Sequence, residues 1–224
     1  MTFSIVGRCA QTGMLGVVVT TSSISVGSRC PWARAGAGAV VTQNITDPGL
    51  GDVLLDLLDD GFSASEAMNR VIAEAPYIEY RQLAVVDADG NIAHHTGEKT
   101  LGTHGVAQAS DCVAAGNLLA NTEVPGSMVN EFVSNQGVHL AERLLCSLEA
   151  GVSAGGEMGS VRSAALLVVH EHAWPLVDLR VDWCDDPVKT LRELWGSYEP
   201  QMEDYMTRAL DPATAPAYGV PGDL

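Results

Sequence analysis

Thr2 places a hydroxyl and, once Met1 is removed, a free α-amine on one residue at the head of the apolar run Phe3-Ser4-Ile5-Val6. A threonine hydroxyl is a weak nucleophile until a base takes its proton. A free α-amine, with an ordinary pKa of about 7.7 to 8.0, is partly uncharged near neutral pH and can act as that base. The two groups together form a self-contained unit for attack on a carbonyl. Thr2 is also small enough to permit methionine removal. Many chains begin with Met and a small hydroxyl residue before entering a strand, so the dipeptide alone decides nothing. As the sequence stands, Met1 blocks the amine.

Acyl transfer also needs donors for the developing oxyanion and groups that hold the substrate. Asn117, after Gly116 at an expected strand end, offers an amide donor; a turn role competes. Ser22 and Ser23 end the expected second strand beside Thr2, where they either relay a proton or simply finish a strand. Gln43 closes one apolar strand and Arg81-Gln82 opens another, so all three are candidates to line a cleft. Arg81 is singled out because a guanidinium pairs a substrate carboxylate bidentately, and a surface ion pair is its alternative. Trp32, after Pro31, either walls a pocket or anchors a loop. His95-Thr96 is a competing base and nucleophile, but neighbours on a strand point to opposite faces and cannot cooperate directly. His170 and His172 share a face without a third ligand nearby, so no metal site is expected. Asp87-Ala88-Asp89-Gly90-Asn91 resembles part of a calcium loop but lacks the distal glutamate, and reads as a hairpin turn.

These residues sit in a chain of 224 residues, 46% apolar, which suits one large domain with a sizeable core. The 12 Lys+Arg against 28 Asp+Glu give a formal charge of −16, which opposes nucleic acid and anionic membranes as partners. Five scattered cysteines with no Cys-x-x-Cys pair argue against a disulfide framework and a structural zinc site. No basic start leads into an apolar signal segment, and no apolar run is long enough to span a bilayer. A cytoplasmic protein is expected, without cofactor, and a homodimer by base rate.

Periodicity predicts strands over 3–9 and 15–21 around a turn at 11–13, and a third over 38–43. Helices are expected over 48–60 and, opened by the capping box Ser63-Ala64-Ser65-Glu66, from 63 onward. Strands over 83–86 and 92–95 flank the turn at 87–91. One extended segment is expected over 106–119, one helix over 129–150, and a last hairpin from 163–169 and 174–181. Asp186-Pro187 opens a helical tail, 186–224, packed on the domain formed by 1–185 and loose at its end. Strands clustered beside helices indicate an α+β fold with helix-covered sheets.

In this order, the blocks Thr2-Phe3-Ser4-Ile5-Val6, Val26-Gly27, Pro31-Trp32-Ala33, Gly38-Ala39-Val40-Val41-Thr42-Gln43, Tyr80-Arg81-Gln82, His95-Thr96-Gly97, Gly116-Asn117-Leu118-Leu119, Ser163-Ala164-Ala165-Leu166 and Asp178-Leu179-Arg180-Val181-Asp182 cover almost the whole chain. Through them the chain resembles the DUF1028 family, placed in the N-terminal nucleophile (Ntn) hydrolase superfamily. The resemblance implies a four-layer αββα sandwich, two antiparallel sheets between helical layers. It also implies attack on an amide carbonyl by the N-terminal residue of the first strand, and only Thr2 falls on that position. In 155–163, where the family has a basic Gly-rich segment ending in Gln-Ser, Arg162 stands in place of the Gln, so a substrate contact there differs. The expected function is an amidohydrolase acting on a small amide, with Arg81 the sole hint that the substrate is anionic. Its competitor is a non-catalytic fold serving as a small-molecule binder or an oligomeric interaction module.

Overall fold

The structure is a computed structural model that describes residues 1–220; the end of the tail expected to be loose, 221–224, lies outside the described residues. β1 (Thr2–Arg8) and β2 (Leu15–Thr21) pair across a turn in which Cys9 N donates to Met14 O (2.9 Å), and Gly13 takes the left-handed φ of 78° that the tight reversal needs. They form the centre of an antiparallel sheet with β7 (Gly105–Ala109), β8 (Cys112–Asn117), β9 (Ser163–Val169) and β10 (Val177–Val181), in the order β10-β9-β2-β1-β8-β7. A second antiparallel sheet runs β3 (Pro31–Arg34), β4 (Gly38–Asn44), β5 (Arg81–Asp87), β6 (Ile92–Thr96).

Alternation along each strand sorts its side chains into two apolar clusters. Val6, Val17, Val19, Val113, Ala115 and Ala165 of the first sheet meet Ala39, Val41, Ala84 and Val86 of the second in one buried cluster, so the two sheets face each other. On the other face of the first sheet, Phe3, Ile5, Val18, Ala114 and Leu166 pack against α3 (Val124–Ser134), α4 (Leu140–Ser153) and α5 (Pro187–Tyr198). On the other face of the second, Val40, Leu83 and Val85 pack against α1 (Gly49–Asp59) and α2 (Ala64–Glu74). Helix α6 (Met202–Leu210) adds Met202 to the α5 side of the core. No helix among the described residues is long and apolar enough to cross a membrane.

The expected capping box at the start of α2 is present: Ser63 N donates to Glu66 Oε2 (2.9 Å) and Glu66 N donates to Ser63 Oγ (3.4 Å). The turn at 87–91 is a hairpin turn, because Asp87 Oδ1 accepts from the backbone N–H of Asp89 (3.0 Å) and Asn91 (2.8 Å). Two expected segments are broken. The single helix read over 129–150 is the pair α3 and α4, interrupted where Gly137 adopts φ 108°, outside helical space. The single extended stretch over 106–119 is the β7–β8 hairpin, which reverses at Asp111 in the left-handed region (φ 64°). Pro31–Arg34 pairs with β4 as an edge strand that was not read from the sequence.

Asp87 joins these layers, since its Oδ2 also caps the first turn of α2 by accepting from Ala64 N (3.0 Å) and takes a bond from Asn91 Nδ2 (3.0 Å) while buried. Replacing it with alanine strands three backbone donors at once. Asp87→Ala is therefore expected to lower unfolding stability by about 2–4 kcal/mol, read by urea denaturation.

Candidate active site

The inward face of β1 ends in two polar residues, Thr2 and Ser4, which point toward the second sheet alongside Val6. Across the strands Thr2 is flanked by Thr21 of β2 and Asn117 of β8. The facing strands contribute Gln43 and Gln82, which pair with each other and share the inward face with Val41 and Ala84. All six side chains are buried.

They form two hydrogen-bonded groups, Ser4-Gln43-Gln82-Asn117 between the sheets and Thr2-Thr21 with the Met1 carbonyl beside it. Ser4 Oγ donates to Gln43 Oε1 (2.8 Å), and Gln43 Nε2 donates to Gln82 Oε1 (2.8 Å). Asn117 Nδ2 donates to the same Gln82 oxygen (3.1 Å), and Gln82 Nε2 donates to the Gly116 carbonyl (3.1 Å). Asn117 Oδ1 is buried with no donor, an uncommon state for an amide oxygen. At the outer edge Thr2 Oγ1 donates to the Met1 carbonyl oxygen (2.6 Å), and the Thr21 hydroxyl, 3.1 Å from Thr2 Oγ1, donates to that oxygen as well. An amide carbonyl attached to Thr2 is thus already held by hydroxyl donors.

Glu157 closes this edge. Its backbone bridges Leu119, just beyond β8, and the loop reaches it through Gly155 and Gly156, both at positive φ (121° and 58°). The residue is 7% exposed, and neither carboxylate oxygen has a hydrogen-bond partner. Burial pushes its pKa up to about 7. The Met1 ammonium and, more weakly, the backbone N–H and hydroxyl of Ser22 oppose the shift without forming a well-aligned bond to either oxygen. The same ammonium acts on the buried Cys30 thiol, which burial raises to about 11. The amine of Met1 is therefore within electrostatic reach of both Glu157 and Cys30.

The residues singled out from the sequence divide accordingly. Thr2, Asn117 and Gln43 come together with Gln82, and Ser22 stands at the Glu157 edge. Arg81 lies on the opposite face of β5, where Nη1 donates to Ile45 O (2.5 Å) and Nη2 faces Asp47 (3.9 Å). Trp32 packs outward beneath α1, its ring so close that a Cβ on Gly51 would fall 2.4 Å from it. Arg162 turns away to pair with Asp185 and stack over Trp183, although its backbone N–H donates to Thr21 O (2.7 Å). His95 and Thr96 do occupy opposite faces: His95 Nε2 meets Ile78 O (3.1 Å), while Thr96 Oγ1 accepts from Gln82 on the inward side (3.4 Å). Thr21, Ser4 and Glu157 were not foreseen. Period-two spacing from Thr2 marks Ser4, whereas Glu157 had only its isolation as an acid in a Gly-rich stretch as a signal.

The model of a protein family described as a family of unknown function, DUF1028, matches residues 2–191. The chain belongs to the DUF1028 family. The crystal structure of protein SPO2555 from Silicibacter pomeroyi, also described as DUF1028, is 32% identical and superposes with a TM-score of 0.84 over 91% of this chain and 89% of that one. Anbu (ancestral beta-subunit) from Yersinia bercovieri, 11% identical over 97% of this chain and 100% of its own, reaches a TM-score of 0.42. Anbu from Hyphomicrobium sp. strain MC1 reaches 0.41 at 10% identity over 97% and 100%. No curated protein matches the chain.

The raised pKa of Glu157 fixes a pH dependence for this DUF1028 protein. Its folded-state pKa of about 7 exceeds the ordinary 4.5, so its contribution to stability is fully present below about pH 4.5 and is lost as pH rises through 7. Glu157→Gln is therefore expected to be more stable than the parent above about pH 8, by up to about 3 kcal/mol, with the gain gone near pH 4. Denaturation curves at the two pH values check it.

Proposed function

We propose that this DUF1028 protein is an Ntn-type amidohydrolase that cleaves a C–N bond of a small amide, with Thr2 as nucleophile after Met1 leaves. The two facing sheets with helices on their outer sides are, on this reading, the αββα architecture of that superfamily. The single observation that carries the proposal is the hydroxyl of Thr2 sitting beside an amide carbonyl whose oxygen Thr21 also holds, in a buried polar cluster at the end of the central strands.

In the proposed reaction the freed Thr2 amine takes the hydroxyl proton as Oγ1 attacks the substrate carbonyl carbon. The Thr21 hydroxyl donates to the developing oxyanion, where it now donates to the Met1 carbonyl. Collapse expels the amine product with the transferred proton and leaves an acyl ester on Thr2, which water hydrolyses. Asn117 Oδ1, the buried acceptor without a donor, is available to the protonated Thr2 amine, its cross-strand neighbour. Gln82 and Gln43 hold the Asn117 amide in place. A second reading, a non-catalytic binder or interaction module, draws support from Met1, whose carbonyl is satisfied where it stands.

Protein produced with Thr2 as its first residue should hydrolyse members of a small-amide panel, and protein retaining Met1 should not. Thr2→Ala should lower kcat/KM by about a thousandfold or more, and Thr2→Ser should keep part of it. Undiminished turnover by Thr2→Ala would sink the proposal.

A further inference from the structure

The Met1–Thr2 peptide is itself an amide, and its acyl half is an α-aminoacyl group. An acyl ester on Thr2 Oγ1 hangs from the same residue as the acyl group now on Thr2 N. The space that Met1 fills is thus the nearest available image of where a substrate's acyl portion would lie. Three features of that space point to one chemistry.

The first is Glu157, more than nine-tenths buried, with both oxygens unpartnered. A buried carboxylate is retained at a cost of several kcal/mol unless something cationic meets it. The second is the cation the chain itself presents there, the Met1 α-ammonium, which acts on Glu157 across the site. The third is Gly159, two residues on, over which the end of the Met1 side chain lies, with a Cβ there falling 3.0 Å from Met1 Cε. The two arginines singled out from the sequence are engaged elsewhere, Arg81 by Asp47 and Ile45 O and Arg162 by Asp185, and Arg29, at the Ser23 edge, is taken up by Ser23 Oγ and the carbonyls of Ile24 and Ser25. The formal charge of −16 also favours a cationic ligand over an anionic one.

We propose that the site takes α-aminoacyl amides with an unbranched apolar side chain, Glu157 receiving the free α-ammonium and the space over Gly159, where the Met1 side chain now lies, the side chain. This rests on the reading of Thr2 as nucleophile for its reaction, but not for its binding step. Glu157 is a specificity residue here: it meets the ammonium and takes no part in bond making.

The test separates binding from chemistry. In the full chain beginning at residue 2 and carrying Thr2→Ala, methionine amide and N-acetylmethionine amide are titrated by calorimetry. The free amine should bind about thirtyfold tighter than the acetylated form, and Glu157→Gln added to this chain should erase the difference. Equal affinity for the two amides, or a preference that survives Glu157→Gln, overturns the inference. Turnover is then measured with Thr2 intact. Hydrolysis of acetylated amides at least as fast as of free ones overturns the inference while sparing the hydrolase. Selective binding of the free amine without any turnover upholds the ammonium site and removes the hydrolase.

Discussion

The side-chain amide of Gln82 ties the two sheets together at the end where Thr2 sits. Its oxygen accepts from Gln43 of its own sheet and Asn117 of the other, and its nitrogen donates to the Gly116 carbonyl across the gap. Apart from this amide and the Ser4–Gln43 bond, the sheets meet largely through small and branched apolar side chains such as Ala39, Ala84, Val17 and Val113. Such contacts are non-directional and set only the spacing. The amide chain is directional, and it fixes which residues of one sheet stand opposite which of the other. A polar row between apolar sheets is stable only if its members satisfy one another. The position of Asn117 beside Thr2 therefore depends on Gln82, and that of Gln43 on Ser4.

At this end of the sheets two groups stay unsatisfied. Asn117 Oδ1 lacks a donor and Glu157 lacks a partner for either oxygen. Both are buried acceptors; Asp87 and Ser163 elsewhere are fully paired, while Thr100 Oγ1 and Arg143 Nε also lack a partner. On the proposed reading, an ammonium meets each of these acceptors. The free Thr2 amine and a substrate amine are the two cations that the proposed chemistry supplies.

Much of this was legible in the sequence because it follows from period and caps. The β1–β2 hairpin, the α2 capping box and the opposite faces of His95 and Thr96 are local, set by neighbours within a few residues. The α3–α4 break and the β7–β8 reversal were not, because each turns on one left-handed residue, Gly137 and Asp111, in a polar stretch too short to interrupt the apolar pattern on either side. At the site, strand ends marked Thr2, Gln43 and Asn117. Charge drew attention to Arg81 over its neighbour Gln82, yet alternation places Gln82 inward with Ala84 and Arg81 outward with Leu83. Glu157 is held at the end of β8 by pairing of its loop with residues 118–120, contacts between residues far apart in the chain that no local pattern announces.

The central claim is that Thr2 Oγ1 becomes a nucleophile when its amine is freed. A β-lactone opened by a hydroxyl adds to it as an ester with no atom lost, so the adduct reports the attack directly. Protein starting at Thr2 and protein retaining Met1 would be exposed to such a lactone and mapped by peptide mass. The account predicts an adduct on the Thr2 peptide of the first and none on that of the second. No adduct on either, or equal labelling of both, would contradict it.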